Sequence, residues 1–265
     1  MKTKILVPLI CLYLFNIESC SNKNASDSGV RYLVKSFSKN FGSCDSLSNY
    51  CASLKLNYPL FTAADNDFIK DSLNNRIKRM ILSPVFQWKS NTPDQLADSL
   101  FSDYKRIKKE FPDSPIRYEL ERKTDVLLNS VEIIALEFYE FSYLGGAHPN
   151  SVKIYTNLSP RTGREISLDE LLIKGYEEKL NSVGERKFRE ERNIKPEDDL
   201  EKAGFWFKDN KFLLNRNFLV SNSGLRFFFN DYEIAPHSLG PTEIFISFEQ
   251  IKDLINPESL LTGLH

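Results

Sequence analysis

The chain has 265 residues, 41% of them hydrophobic and 12% aromatic, and a formal charge of -1 at pH 7. That length and composition can bury one large core or two modest ones. Nothing in this near-neutral balance suggests the strongly basic face on which nucleic-acid binding depends.

The first residues read as a processing segment. Lys2 and Lys4 form a basic start, Ile5–Ile17 is an apolar run too short to span a bilayer, and Ile17-Glu18-Ser19-Cys20 sets a small residue before a cysteine. This resembles the lipobox of bacterial lipoproteins. The resemblance implies a signal peptide over 1–19, a lipid on Cys20 and a polar tether over 20–40, which would anchor the remaining chain at a membrane. Cys44 and Cys51 are the pair left in an exported chain, and a disulfide is the simplest reading. A loop this short contributes ~2 kcal/mol in the chain-entropy model. A metal site is the alternative, with no further Cys or His nearby to complete it.

The chain then divides into an N-terminal strand and two-helix subdomain over 41–115 and a C-terminal α+β domain over 116–265. Leu54–Tyr58 alternates and stops at Pro59, which predicts a strand. Ile69, Leu73, Ile77 and Met80 recur at helical spacing within 63–82, ahead of Pro84. Thr92-Pro93-Asp94-Gln95 supplies an N-cap, a first-turn proline and a capping-box partner for a second helix that carries Leu96, Leu100, Tyr104, Ile107 and Phe111.

From there the period changes. Arg117–Arg122 alternates, Val131–Tyr143 is rich in β-branched and aromatic residues, and a polar turn near 123–129 separates them. With Val152–Leu158 they form an antiparallel meander. One or two helices come next between Ser167 and Arg192, and the mixed-charge run Glu185–Arg192 reads as a solvated helix face or a frayed end. Strands are expected at Phe205–Phe207, Phe212–Val220, Leu225–Phe229 and Glu243–Phe248, then a last helix near 248–255. The whole is α+β, antiparallel β-meander sheets with helices packed on them.

Candidate chemistry centres on two turns. Gly145-Gly146-Ala147-His148-Pro149 ends a long strand, and adjacent glycines permit a sharp reversal or a close approach. His148 and His237 both sit in turns after strands. Their convergence with Asp231 or Glu233 would make a metal or general-base site, although histidines in turns more often only pack or hydrogen-bond. Ser36-Phe37-Ser38-Lys39 matches S-x-x-K, yet it lies near the tether and lacks the accompanying elements of a serine acyl-enzyme. No phosphate loop, G-x-S-x-G elbow or C-x-x-C motif is present. No catalytic set, resident metal or cofactor is assigned on these residues.

Gly145-Gly146-Ala147-His148, Tyr155, Asn157, Thr162-Gly163 and Leu168-Asp169-Glu170-Leu171 together resemble a bacterial extracytoplasmic domain family of unnamed function, the RsiV/PdaC type. Leu225–Phe229, Tyr232-Glu233-Ile234-Ala235-Pro236 and Gly240 resemble the closing strands of the same family. Members serve as the lysozyme-binding ectodomain of an anti-sigma factor and accompany the catalytic domain of peptidoglycan deacetylases. The resemblance implies a non-catalytic recognition module at the cell envelope, binding a lysozyme-like protein or a peptidoglycan fragment. Gly145, Gly146, Ala147, His148, Tyr232, Glu233, Pro236 and His237 become its candidate binding positions. The alternatives are an envelope glycan hydrolase that uses His148 and His237, and a structural envelope lipoprotein.

Overall fold

The structure is a computed structural model that describes residues 30–44, 50–82, 90–113 and 115–264. The expected signal peptide, Cys20 and Ser21–Ser28 lie outside the described residues. Strands β1 (Arg31–Gly42) and β2 (Cys51–Ala63) form an antiparallel pair, followed by helices α1 (Asp67–Leu82) and α2 (Pro93–Glu110). Strands β3 (Tyr118–Asn129), β4 (Ile134–Leu144) and β5 (Asn150–Leu158) complete a sheet in the order β1-β2-β3-β4-β5. The β2–β3 pair alone in this sheet is parallel, because α1 and α2 form the crossover that parallel neighbours need.

Two expected boundaries are corrected. The tether assigned to 20–40 gives way at Arg31 to an edge strand paired along its length with β2. The division at 115/116 falls inside one sheet, since Ala52–Asn57 pairs with Tyr118–Lys123. The strand expected to stop at Pro59 continues to Ala63. Pro59 lies past the last β3 partner, at Asn57, so on that side its missing N–H leaves no gap in a ladder.

One face of this sheet is sealed by the helices. Leu54, Leu56, Leu120, Leu136 and Phe138 pack against Ile69, Leu73, Ile77, Leu96 and Leu100. The helix α2 cap forms as its sequence predicts, with Gln95 N–H donating to Thr92 Oγ1 at 3.2 Å. Beneath α1 lies a charged pair invisible to hydrophobic patterning. Arg122 Nε donates to Glu140 Oε2, and its Nη1 donates to the carbonyl of Ile81, both at 2.6 Å, with both side chains essentially inaccessible. Burial holds the Glu140 carboxyl above its ordinary value, outweighing the opposite pull of Arg122.

The second unit contains α3 (Leu168–Leu171), α4 (Glu177–Arg192) and an antiparallel sheet of β6 (Phe218–Val220), β7 (Gly224–Phe229) and β8 (Thr242–Ser247). Its core is aromatic: Phe188 meets Phe205 at 4.8 Å and Phe212 at 5.2 Å between ring centres. The strand expected at Phe205–Phe207 is irregular backbone, and of Phe212–Val220 only the last three residues pair. Aromatic residues raised the β signal through burial, whereas Asp209 and Asn210 take left-handed angles that break extension. The helix expected near 248–255 is a 3-10 helix, Phe248–Leu254, that still buries Phe248, Ile251 and Leu254. The fold class is α+β as expected. Among the described residues no helix is long and apolar enough to cross a membrane.

The two units are joined edge to edge by amide side chains. Asn157 of β5 donates through Nδ2 to the Phe218 carbonyl and accepts the Val220 N–H, at 2.9 and 2.8 Å. Asn217 returns the contact, accepting from Tyr155 N–H and donating to the Lys153 carbonyl. Asn230 closes on the Lys153 N–H and carbonyl at 2.7 and 3.0 Å. The outer strand of the first sheet is thus satisfied by side chains of the second unit. The seam also brings two turns side by side, because Asn230 leads into the one bearing Tyr232 and His237, while β5 begins just after His148.

Candidate functional site

The two turns meet. The His148 and His237 rings stack at 4.8 Å between centres with planes 10° apart, and the Tyr232 ring lies 5.7 Å from His237 and 6.4 Å from His148. Local backbone makes this possible. Gly145, at φ 78°, reverses the chain where a Cβ would come within 2.8 Å of Ile116 Cγ2. Gly146 carries no such requirement. Across the seam, Tyr232 takes a left-handed φ of 62°, an uncommon state for an aromatic residue. It is held there by Glu233, whose carboxylate accepts from Asn230 N–H at 2.8 Å and from Asn215 Nδ2 at 2.7 Å.

The hydrogen bonds assign the ring nitrogens. His148 Nδ1 lies 3.0 Å from the Pro149 carbonyl, which can only accept, so that nitrogen carries the proton. In the neutral ring Nε2 then accepts from the Tyr232 hydroxyl, 3.3 Å away. His237 Nδ1 faces Asp231 Oδ2 at 3.4 Å, which orients the ring with Nε2 outward. The Asp231 side chain is 7% exposed and the His237 side chain 44% exposed, so a buried carboxylate backs an accessible imidazole. The other carboxylate oxygen, Oδ1, is buried with no hydrogen-bond partner among the described residues. This Asp–His arrangement can accept a proton from a bound nucleophile.

The candidate positions divide by role. His148, Tyr232 and His237 come together in an exposed cluster. Gly145 shapes its turn, Gly146 and Ala147 are exposed beside His148, and Pro236 precedes the 3-10 turn of His237. Glu233 braces the second turn instead of facing a ligand, since both carboxylate oxygens are engaged internally. Cys44 and Cys51 form the expected disulfide, with Cα atoms 5.2 Å apart. Cys20 lies outside the described residues. Among the described residues no group of three or more His, Cys, Asp or Glu is arranged to hold a metal ion.

Sequence reasoning missed two neighbours. Trp206 is half exposed and donates through Nε1 to the Glu233 carbonyl at 3.2 Å. Arg192, expected on a solvated helix end, reaches the turn beyond His237 and donates to the Leu239 carbonyl at 2.8 Å. Nothing in local spacing marks either contact. A cleft of about 460 Å³ opens along the seam, lined by Arg76, Ile154, Asn217 and Asn230 among others, and Asn230 ties it to the cluster. The Tyr155 hydroxyl is held above the ordinary tyrosine range by burial and by its hydrogen bond to Glu243.

Two known families match the chain on either side of β5. Residues 46–151 match the family described as deacetylase PdaC, and residues 169–249 match DUF3298, a protein family of unknown function. The chain carries a PdaC/DUF3298-type domain. The PdaC match ends as β5 begins, so His148 falls in the PdaC-like part and Tyr232 and His237 in the DUF3298 part. Among curated proteins the chain is similar to peptidoglycan-N-acetylmuramic acid deacetylase PdaC of Bacillus subtilis (strain 168), at 23% identity over 205 residues. The match covers 77% of this chain and 39% of that relative, so the chain spans about two fifths of its length.

Solved structures support the fold. A DUF3298 family member from Bacteroides fragilis superposes with a TM-score of 0.71 at 18% identity, covering 90% of this chain and 99% of that one. A DUF3298 protein from Pseudomonas aeruginosa PAO1 gives 0.59 at 15% identity, covering 88% and 96%. The expectation of a non-enzyme is corrected by the PdaC match. The family description and the relative's name are both those of a deacetylase, which points to a possible enzyme.

Proposed function

We propose that this chain acts on peptidoglycan outside the cytoplasm, with the glycan held at the turn cluster and His237 serving as general base in hydrolysis of an acetamide. The observation that supports the reading is the stacking of His148 on His237 with Asp231 buried behind the latter. In the proposed step His237 Nε2 takes a proton from water as the water oxygen bonds to the acetamide carbonyl carbon. The carbon–nitrogen bond then breaks, and the imidazolium returns the proton to the leaving nitrogen, giving acetic acid and a free amine. The flat faces of Tyr232 and His148 offer a sugar ring a stacking surface, and Tyr232 adds a hydroxyl.

The choice of substrate draws on the relative, whose name specifies N-acetylmuramic acid of peptidoglycan. It comes to this chain as a proposal, because the chain spans 39% of that protein. Peptidoglycan lies outside the cytoplasm, and a lipid on Cys20 would keep the protein beside it. A lysozyme-like partner rests on the family resemblance alone and enters as a second arm of any titration.

The test incubates the full chain with purified peptidoglycan and measures released acetate and new reducing ends. Acetate release is expected from the unmodified chain, with a loss of about 10²-fold or more in His237→Ala and a smaller loss in Asp231→Asn. No product from the unmodified chain, or equal release from His237→Ala, would overturn the proposed chemistry.

A further inference from the structure

We infer that Arg192 is the positioning residue of this cluster, its guanidinium clamping the turn that presents His237. The inference rests on the proposed function for its catalytic meaning, while its geometric content stands on the contacts themselves. Arg192 closes α4, and its side chain leaves the helix to enter the 237–242 turn. Nη1 donates to the Leu239 carbonyl at 2.8 Å, and Nη2 donates to the carbonyls of Gly240 and Pro241 at 3.1 and 2.6 Å. Nε donates to Thr242 Oγ1 at 3.0 Å, and Nη2 reaches the same hydroxyl.

Those acceptors belong to consecutive residues, which a regular strand or helix does not aim at one point. Gly240, at φ 67°, takes the left-handed turn that permits it, and Gly240 N–H in turn donates to the His237 carbonyl at 2.9 Å. The guanidinium therefore holds a turn that is itself bonded to the backbone of His237. It also lies over the Phe205 ring, 5.6 Å from its centre, which fixes its other side to the aromatic core. Burial lowers the Arg192 pKa from its ordinary value, as befits a cation drawn from water into backbone acceptors.

The consequence for the site is orientational. His237 faces Asp231 across 3.4 Å and stacks on His148 across 4.8 Å, and both contacts depend on where the turn holds its ring. A lysine keeps the charge but presents a single ammonium point in place of the planar fork, so it cannot engage the same set of carbonyls together.

The experiment records imidazole resonances and His148–His237 ring-to-ring contacts by NMR in the full chain, alongside thermal unfolding and acetate release. Arg192→Lys and Thr242→Val are expected to move the His237 resonances and weaken the ring contact, with turnover falling on the order of ten- to a hundred-fold. Thr242→Ser, which retains the hydroxyl, is expected to match the unmodified chain. If Arg192→Lys fails to unfold cooperatively, Thr242→Val against Thr242→Ser decides the matter. Unchanged His237 resonances and ring contacts in folded variants would overturn the inference. Should the unmodified chain show no turnover while the resonances move as stated, the proposed chemistry fails and the positioning role stands.

Discussion

Replacing Asn157 by leucine tests the seam that brings the two turns together. The side chains share the same branched skeleton, but leucine removes both contacts to β6, leaving the Val220 N–H and the Phe218 carbonyl without the partners now at 2.8 and 2.9 Å. Asn157 is 2% exposed, so water has little access to repair the loss. Each orphaned buried group costs about 1–3 kcal/mol, giving roughly 2–6 kcal/mol for the pair. That is a large fraction of the ~5–15 kcal/mol that holds a typical domain together. Urea unfolding of the variant against the unmodified chain measures the total, and hydrogen exchange at the Val220 amide measures the local effect. A loss under about 0.5 kcal/mol with Val220 still protected would refute the reasoning, because it would mean the edge does not depend on Asn157.

Three other perturbations have defined outcomes. Arg122→Met should destabilise the fold by about 3–5 kcal/mol by stranding Glu140, while Arg122→Met combined with Glu140→Leu should recover most of that loss in denaturant melts. Spectrophotometric titration should find Tyr118 and Tyr176 ionising late, since burial, with Asp103 and Asp169 respectively, pushes each up to about 12. Their folded-state values lie above the unfolded value of about 10, so the associated stability is intact below pH ~10 and lost as pH rises towards 12. A chain whose unfolding free energy is flat across that window would contradict the assignment. Cys20→Ala should release the protein from the membrane fraction of cells, and unchanged association would sink the lipid anchor.

The parts of the fold legible in the sequence are those whose signals are local. The N-cap and first-turn proline of α2 are written in adjacent residues, Thr92 and Pro93, and form as read, whereas the Gln95 side chain accepts from Asn91 N–H instead of closing a capping box on Thr92. The stripes of α1 and α2 and the meander of β3, β4 and β5 carry their periods openly and are found, although Phe111 is the exposed C-cap of α2 and residues 123–129, read as a turn, extend β3 to Asn129. The aromatic runs at Phe205–Phe207 and Phe212 misled because burial and extension share the same residue types. Edge strand β1 was hidden by its polarity, since most of its residues face solvent. At the site, the glycine and proline turns marked both halves, and the possibility of their convergence was legible from their placement after strands. The role of Arg192 was not, because its partners lie 47 to 50 positions away and consist mainly of backbone carbonyls, which no residue type announces.

Whether a glycan settles on the turn cluster is decided most directly by locating its contact with the protein. Muropeptides titrated into the isotopically labelled chain, with His148 and His237 imidazole resonances followed by NMR, would locate that contact. Both imidazoles, the Tyr232 ring and the Trp206 indole are expected to shift together and saturably. Saturable binding that leaves all four unmoved, or no binding by folded protein at any concentration reached, would contradict the proposed role of the cluster.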